Sequence, residues 1–234
     1  MNMDAKMTNI NEYIREMDVE IYAFSGKLGS GKDYIAKYIF QPLLEPKETL
    51  FLALADHLKV NVINLMNIPY NKVYGPKDEN SRKYLQHYGT EVIRKNYGDD
   101  FWANVLLTWV RLFSDKGIKR FMVTDVRFPN EMKALRQAGA KIIRINAPDR
   151  NLERLTQEAK GDKDVIEKLR NHHSELALDT MKASNFDLIL DNTKGKENKV
   201  ADEIQKYLIV NNISMKNTNT INLKNNITVS ETLV

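Results

Sequence analysis

Apolar residues fall along this chain in two rhythms. Short, almost uninterrupted runs at Val19–Ser25, Thr49–Leu54, Arg120–Thr124, Lys141–Asn146 and Phe186–Leu190 read as strands of a parallel sheet covered on both faces. Between them the apolar positions recur at helical spacing. Tyr34, Ile35, Tyr38 and Ile39 predict a helix ending before Pro42, and a further helix runs from Ala55 through Val62 and Met66. Leu85, Tyr88 and Val92 form one stripe, and Phe101, Trp102, Val105, Leu106, Trp109 and Leu112 another. Met132, Leu135 and Ala138 mark a helix closed by Gly139, and two more are predicted over Asp149–Lys160 and Glu197–Leu208. Strands alternating with helices predict an α/β domain with a parallel sheet. Ile10, Tyr13, Ile14 and Met17 suggest a short amphipathic helix in an N-terminal extension, 1–18. The domain proper is expected over 19–210, and the Asn-, Thr- and Lys-rich stretch 211–234 as a flexible polar tail.

The 234 residues suffice for one such domain. The absence of cysteine excludes disulfides, thiolate catalysis and cysteine-ligated zinc. With no apolar run of membrane-spanning length and no signal-like amino terminus, the expectation is a cytoplasmic protein without membrane contact. A net charge of +4 suits a polyanionic ligand.

The chemistry concentrates after the first strand, in Ser25-Gly26-Lys27-Leu28-Gly29-Ser30-Gly31-Lys32-Asp33. Gly26, four residues, then Gly31-Lys32 satisfies the Gly-x-x-x-x-Gly-Lys pattern of a phosphate-binding loop, in the strand-to-helix context that such a loop needs. Glycines let backbone N–H groups converge on phosphate oxygens, the following helix turns its positive end toward them, and Lys32 adds an ammonium. Asp33 stands where a hydroxyl normally meets Mg²⁺; a carboxylate is an equally hard ligand. A plain helix-capping turn is the competing reading.

Four other places carry candidate chemistry. Lys59, on the first turn after the second strand, can reach an anion or be a surface lysine. Arg82, Gln86 and Thr90 repeat every four residues with Gly89 among them, suiting a nucleotide's phosphate and base or an ordinary solvated helix face. Trp102 can stack on a substrate ring or sit in the core. Asp125 and Arg127 follow the third strand, at the rim where α/β sheets bind ligands; there they serve Mg²⁺ and a transferring phosphoryl group, or Asp125 caps the helix near Pro129 with Arg127 as its partner. The charged stretch from about 150 to 178, with Arg150, Arg154 and Ser174-Glu175, reads as a lid or as a solvated helical hairpin. Asn192, after the fifth strand, is a candidate base contact.

Taken together, the loop ending in Lys32-Asp33, Arg82 with Leu85-Gln86 and Gly89-Thr90, the Trp102 helix, Val123-Thr124-Asp125 with Arg127 and Glu131, Ser174-Glu175, and Asp187-Leu188 leading to Asn192 resemble the deoxynucleoside monophosphate kinases of DNA viruses. These belong to the P-loop kinase group that includes the animal phosphomevalonate kinases. The resemblance implies a three-layer αβα fold around a five-stranded parallel sheet in order 2-3-1-4-5, with a lid, and transfer of the ATP γ-phosphoryl group to a deoxynucleoside monophosphate. Carried over by position, Gly26, Lys27, Gly29, Ser30, Gly31, Lys32 and Asp33 hold ATP and Mg²⁺, the metal being shared with Asp125, and Asn192 lies near adenine. Lys59, Arg82, Gln86, Gly89, Thr90 and Trp102 form the acceptor site, with Asp125 and Arg127 between the nucleotides and Arg150, Arg154 and Glu175 in the lid. Two rival readings are a kinase of a small phosphorylated metabolite and a DNA-associated P-loop ATPase. Stable nucleic-acid binding is not expected, and a homodimer is left open.

Overall fold

The structure is a computed structural model and describes residues 10–75, 81, 84–85 and 87–216. The expectations for Arg82, Gln86, residues 1–9 and the tail from 217 onward lie outside the described residues.

Five strands form one parallel sheet, as the apolar runs predict, in the order β2-β3-β1-β4-β5 that the resemblance implies. They are β1 (Glu20–Gly26), β2 (Thr49–Leu52), β3 (Arg120–Val126), β4 (Lys141–Asn146) and β5 (Leu188–Asp191). Alternation along the strands divides the core into two layers. Ile21 and Ala23 of β1, Phe121 and Val123 of β3 and Ile142 of β4 join one cluster, covered by the helices Leu54–Met66, Phe101–Ser114 and Pro129–Gln137. Tyr22, Phe24, Met122, Ile143 and Ile145 face the other way, under the helical run 32–43 and the helix Glu197–Val210. The short helix Ile10–Arg15 seals one edge of the first layer by burying Ile14.

Two local features depart from the periodicity. The helix after the loop does not stop before Pro42. Its middle, Ile35–Phe40, is a π-helix, and α geometry resumes over Gln41–Leu43. Pro42 thus stands next to last in a continuous helical run, which closes at Leu43 before the extended Leu44. At the other end of the domain, the chain beyond Val210 turns back, and Met215 pairs antiparallel with Leu44 while Ile213 and Met215 pack on the second layer.

Candidate active site

The parallel strands all end on the same rim, and β1 delivers the glycine-rich loop there. Gly29 and Gly31 adopt positive φ of 77° and 83°, a conformation that disfavours side chains. The backbone is also crowded: a Cβ on Gly26 would lie 2.8 Å from the Ile145 carbonyl oxygen, and one on Gly29 would lie 2.6 Å from the Arg154 Cβ. The loop is therefore glycine-rich for packing as well as for curvature. Ser30 is buried, its Oγ turned inward against Gly26 with no hydrogen-bond partner, so at that position the backbone is what a ligand can meet. Lys32 is buried as well, its Nζ 3.4 Å from an oxygen of the exposed Asp33 carboxylate.

Around the loop stand groups from distant parts of the chain. The Asn192 side-chain amide donates to the Ser30 carbonyl at 2.9 Å, and Asn151 donates to the Leu28 carbonyl at 2.7 Å. Arg150 donates to the Asn192 carbonyl at 2.8 Å and pairs with Glu197. Asn192, expected near a base, thus supports the loop at Ser30, and Arg150, expected in the lid, holds the backbone of Asn192. Arg154 packs its Cβ beside Gly29 and pairs with Glu158 at 3.3 Å, its guanidinium half exposed.

The feature that the sequence least disclosed is a set of carboxylates drawn into the loop's mouth. One oxygen of Glu175 accepts the Leu28 N–H at 2.9 Å, and the other pairs with Arg127 at 2.8 Å. Arg127 also donates to the Ser174 hydroxyl at 3.3 Å. One helical turn on, Asp179 takes Lys27 at 2.6 Å on one oxygen and Arg144 at 3.1 Å on the other. Arg144 comes from β4 and donates to the hydroxyl of Ser25, the residue beside it on β1. Burial pushes the Arg144 guanidinium below its usual pKa, with Asp179 and Glu175 opposing that shift. Gly26, Lys27, Arg127, Arg144, Ser174 and Glu175 line one narrow cleft. Glu175, expected in the lid, pairs instead with Arg127 after β3. Arg144 and Asp179 were missed, although a lone arginine in the apolar run Ile142-Ile143-Arg144-Ile145 was a signal.

Asp125 does not cap the helix near Pro129. Its two oxygens accept the Leu54 and Ala55 N–H groups at 2.8 Å each, capping the neighbouring helix across the sheet rim. Burial raises its pKa, while those two amides, Arg127 and Lys32 oppose the rise. Glu131 caps the Pro129–Gln137 helix instead, accepting the N–H groups of Arg127 at 2.9 Å and Phe128 at 3.1 Å, and pairing with Arg94 at 2.9 Å. Burial lifts the Glu131 carboxyl to about 7, with Asp125 adding to the rise and the amides and Arg94 opposing it.

Of the residues expected at the acceptor site, Gly89 meets Trp102 and Leu58, the neighbour of Lys59. Lys59 pairs with Asp56 at 2.9 Å and lies over the Tyr74 ring at 4.4 Å. Gly89 and the exposed Thr90 belong to a π-helix, His87–Arg94. The space beside Gly89 is taken by the Leu58 side chain. Trp102 is buried rather than open to a ring, and its Nε1 donates to the Gly89 carbonyl at 3.1 Å. Among the described residues no cluster of three or more histidine, aspartate or glutamate side chains is arranged to hold a metal. The donors that fit Mg²⁺ are the Asp33 carboxylate and any free lone pairs of Asp125, which suits a metal held largely by phosphate oxygens.

With this geometry in place, the comparisons with known proteins become specific. Residues 70–168 match a family model described as deoxynucleotide monophosphate kinase. The likeness is to deoxynucleotide monophosphate kinases. A protein of Acanthamoeba polyphaga mimivirus named "Putative deoxynucleotide monophosphate kinase" is 26% identical over 214 residues, covering 82% of this chain and 96% of its own. A protein of Ictalurid herpesvirus 1, "Uncharacterized protein ORF77", is 28% identical over 127 residues; the match spans 54% of this chain and half the length of that relative. Among solved structures, a Janibacter sugar kinase and a Campylobacter jejuni dephospho-CoA kinase, each 16% identical, cover 85% and 83% of this chain and 99% and 96% of theirs, with TM-scores of 0.42 and 0.44. Scores at that level add no argument to the strand order itself. No helix among the described residues is long and apolar enough to cross a membrane.

Proposed function

We propose that this protein transfers the γ-phosphoryl group of ATP to a deoxynucleoside monophosphate, yielding the diphosphate and ADP. The observation that carries this reading is the carboxylate of Glu175, held between a loop N–H and Arg127. The cradle binds a protein anion with the same two kinds of group that bind a phosphoryl oxygen, a converging amide and a fork of guanidinium donors. The family match and the viral relative supply the acceptor class.

On this reading the donor's phosphates displace Glu175 and settle on the loop amides, with Lys32 against their charge. The acceptor phosphate approaches from the side of Lys59 and Thr90. An oxygen of that phosphate attacks the γ-phosphorus as the bond to the β–γ bridging oxygen breaks, and the electron pair leaves on ADP. Its oxygens are already anionic at neutral pH, so no side chain has to remove a proton. Catalysis then consists of placing the two nucleotides in line and stabilising equatorial charge with Lys32 and Arg127. Mg²⁺, when bound by Asp33 and the phosphates, supplies further neutralisation of that charge. Asp125 holds the start of the helix that carries Lys59, through the Leu54 and Ala55 N–H groups.

The test is an ADP-coupled assay with ATP against all deoxy- and ribonucleoside monophosphates, with small phosphorylated alcohols as rival acceptors and duplex DNA as a rival activator. Turnover on at least one deoxynucleoside monophosphate is expected. Activity only on phosphorylated alcohols, or ATP hydrolysis that needs DNA, would refute the proposal.

A further inference from the structure

Arg127 sits on a two-residue link between β3 and the helix Pro129–Gln137, and nothing in that link fixes it locally. Its geometry is imposed from outside. Glu131 Oε2 gathers the backbone N–H groups of Arg127 and Phe128, while Oε1 takes Arg94 Nη2. Arg94 also lies over the Phe128 ring, 4.4 Å from its centroid, and the same ring meets that of His173 at 5.3 Å between centroids. The link is therefore clasped through its backbone by one residue and through its aromatic ring by another.

A helix cap alone does not require this arrangement. A glutamate in the first turn can accept its backbone donors while facing water. Here Glu131 is 3% exposed and is paired across 37 positions with an arginine that is itself largely buried. A buried ion pair is a poor device for stability, since apolar side chains of similar volume commonly do as well, but it does fix geometry. Arg94 is moreover the last residue of the π-helix His87–Arg94, which carries Gly89 and Thr90 and is tied through Gly89 to Trp102.

We propose that Arg94 and Glu131 are a positioning pair that sets the aim of Arg127 and links it to the segment expected to meet the acceptor nucleotide. Neither lines the loop cleft, so neither is a catalytic residue. Binding of the acceptor against 87–94 steadies Arg94, and Arg94, through Glu131 and the Phe128 ring, steadies the Arg127 turn. Arg127 is then placed for transfer only when a receiver is present, which limits wasteful hydrolysis of ATP. This inference rests on the kinase reading above.

The experiment measures kcat, KM for ATP and ATP hydrolysis without acceptor in the wild type, Arg94→Met, Arg94→Lys, Glu131→Gln and Arg127→Gln, together with the double variant Arg94→Met/Arg127→Gln. Misplacement of a reacting group by about an ångström commonly lowers turnover on the order of a hundredfold. Arg94→Met is accordingly expected to lower kcat roughly ten- to a hundredfold with KM for ATP within about twofold. Arg94→Lys should recover part of the loss. In the Arg127→Gln background, Arg94→Met should add little, because the residue it aims is gone. Unchanged kcat in Arg94→Met and Glu131→Gln, or a full additive loss in the double variant, overturns the proposal. If Arg94→Met does not fold, Glu131→Gln decides: wild-type kcat there overturns the pair. An inactive wild type instead overturns the kinase reading, an outcome visible before any variant is compared.

Discussion

The Glu175 carboxylate offers the sharpest quantitative test of the loop as a phosphate site, because a ligand has to displace it. Two charge-assisted contacts hold it, to the Leu28 N–H at 2.9 Å and to Arg127 at 2.8 Å, and the carboxylate is buried. Hydrogen bonds to charged groups contribute about 1.5–3 kcal/mol, and Arg127 is partly solvated, which places its share at the low end of that range. Glu175→Gln keeps the shape and one acceptor oxygen but loses the charge. A loss of about 1.4 kcal/mol from the closed contact follows, and the same amount reappears as roughly tenfold tighter binding of ATP. Isothermal titration of ATP into wild type and Glu175→Gln reads this directly. Asp202→Asn, an equal charge change on an exposed position of the last helix, should leave the dissociation constant unchanged. Equal or weaker affinity in Glu175→Gln would show that the carboxylate does not occupy the phosphate seat.

Other consequences are independent of that contact. Lys32→Met should lower kcat on the order of a hundredfold or more, as expected when one charge-stabilising donor is removed, with the fold intact by circular dichroism. Gly29→Ala forces a side chain into the left-handed region, a strain of roughly 1–2 kcal/mol, and places its Cβ 2.6 Å from that of Arg154; ATP affinity should fall, and the thermal transition should drop by about 2–8 °C or more. Glu131, with its carboxyl raised to about 7, keeps its proton in the folded state at pH values where the unfolded chain has lost it. Its stabilising effect is present below the ordinary value of 4.5 and disappears as pH rises through 7. From pH 5 to 8, wild-type stability should therefore decline by up to about 3 kcal/mol relative to Glu131→Gln in urea unfolding, and parallel curves would contradict the shift.

Much of the fold was legible because its signals are local. Five apolar runs gave the strands to within about two residues at each end, and the loop's glycine spacing survived intact because packing and curvature both demand it. What escaped notice depends on contacts between distant parts of the chain. Nothing near Asp125 announces that it caps a helix 70 positions earlier, and nothing near Asn192 shows that its amide supports Ser30. Trp102 reads alike as a stacking platform or as core, and the Gly89 carbonyl decides for core. Arg144 and Asp179 became visible only when β4 and the turn after Glu175 were placed side by side. The π turn at Ile35–Phe40 has no periodic signature, and the helix expected to stop before Pro42 ends just after it, at Leu43.

The central claim is that a nucleotide's terminal phosphoryl group leaves the glycine loop for a second nucleotide. Incubating the protein with ATP labelled at the γ-phosphorus and each deoxynucleoside monophosphate in turn, then separating the products, follows that group directly. The account predicts label in a deoxynucleoside diphosphate, dependent on Lys32; label recovered only as free phosphate, or on no nucleotide acceptor, would contradict it.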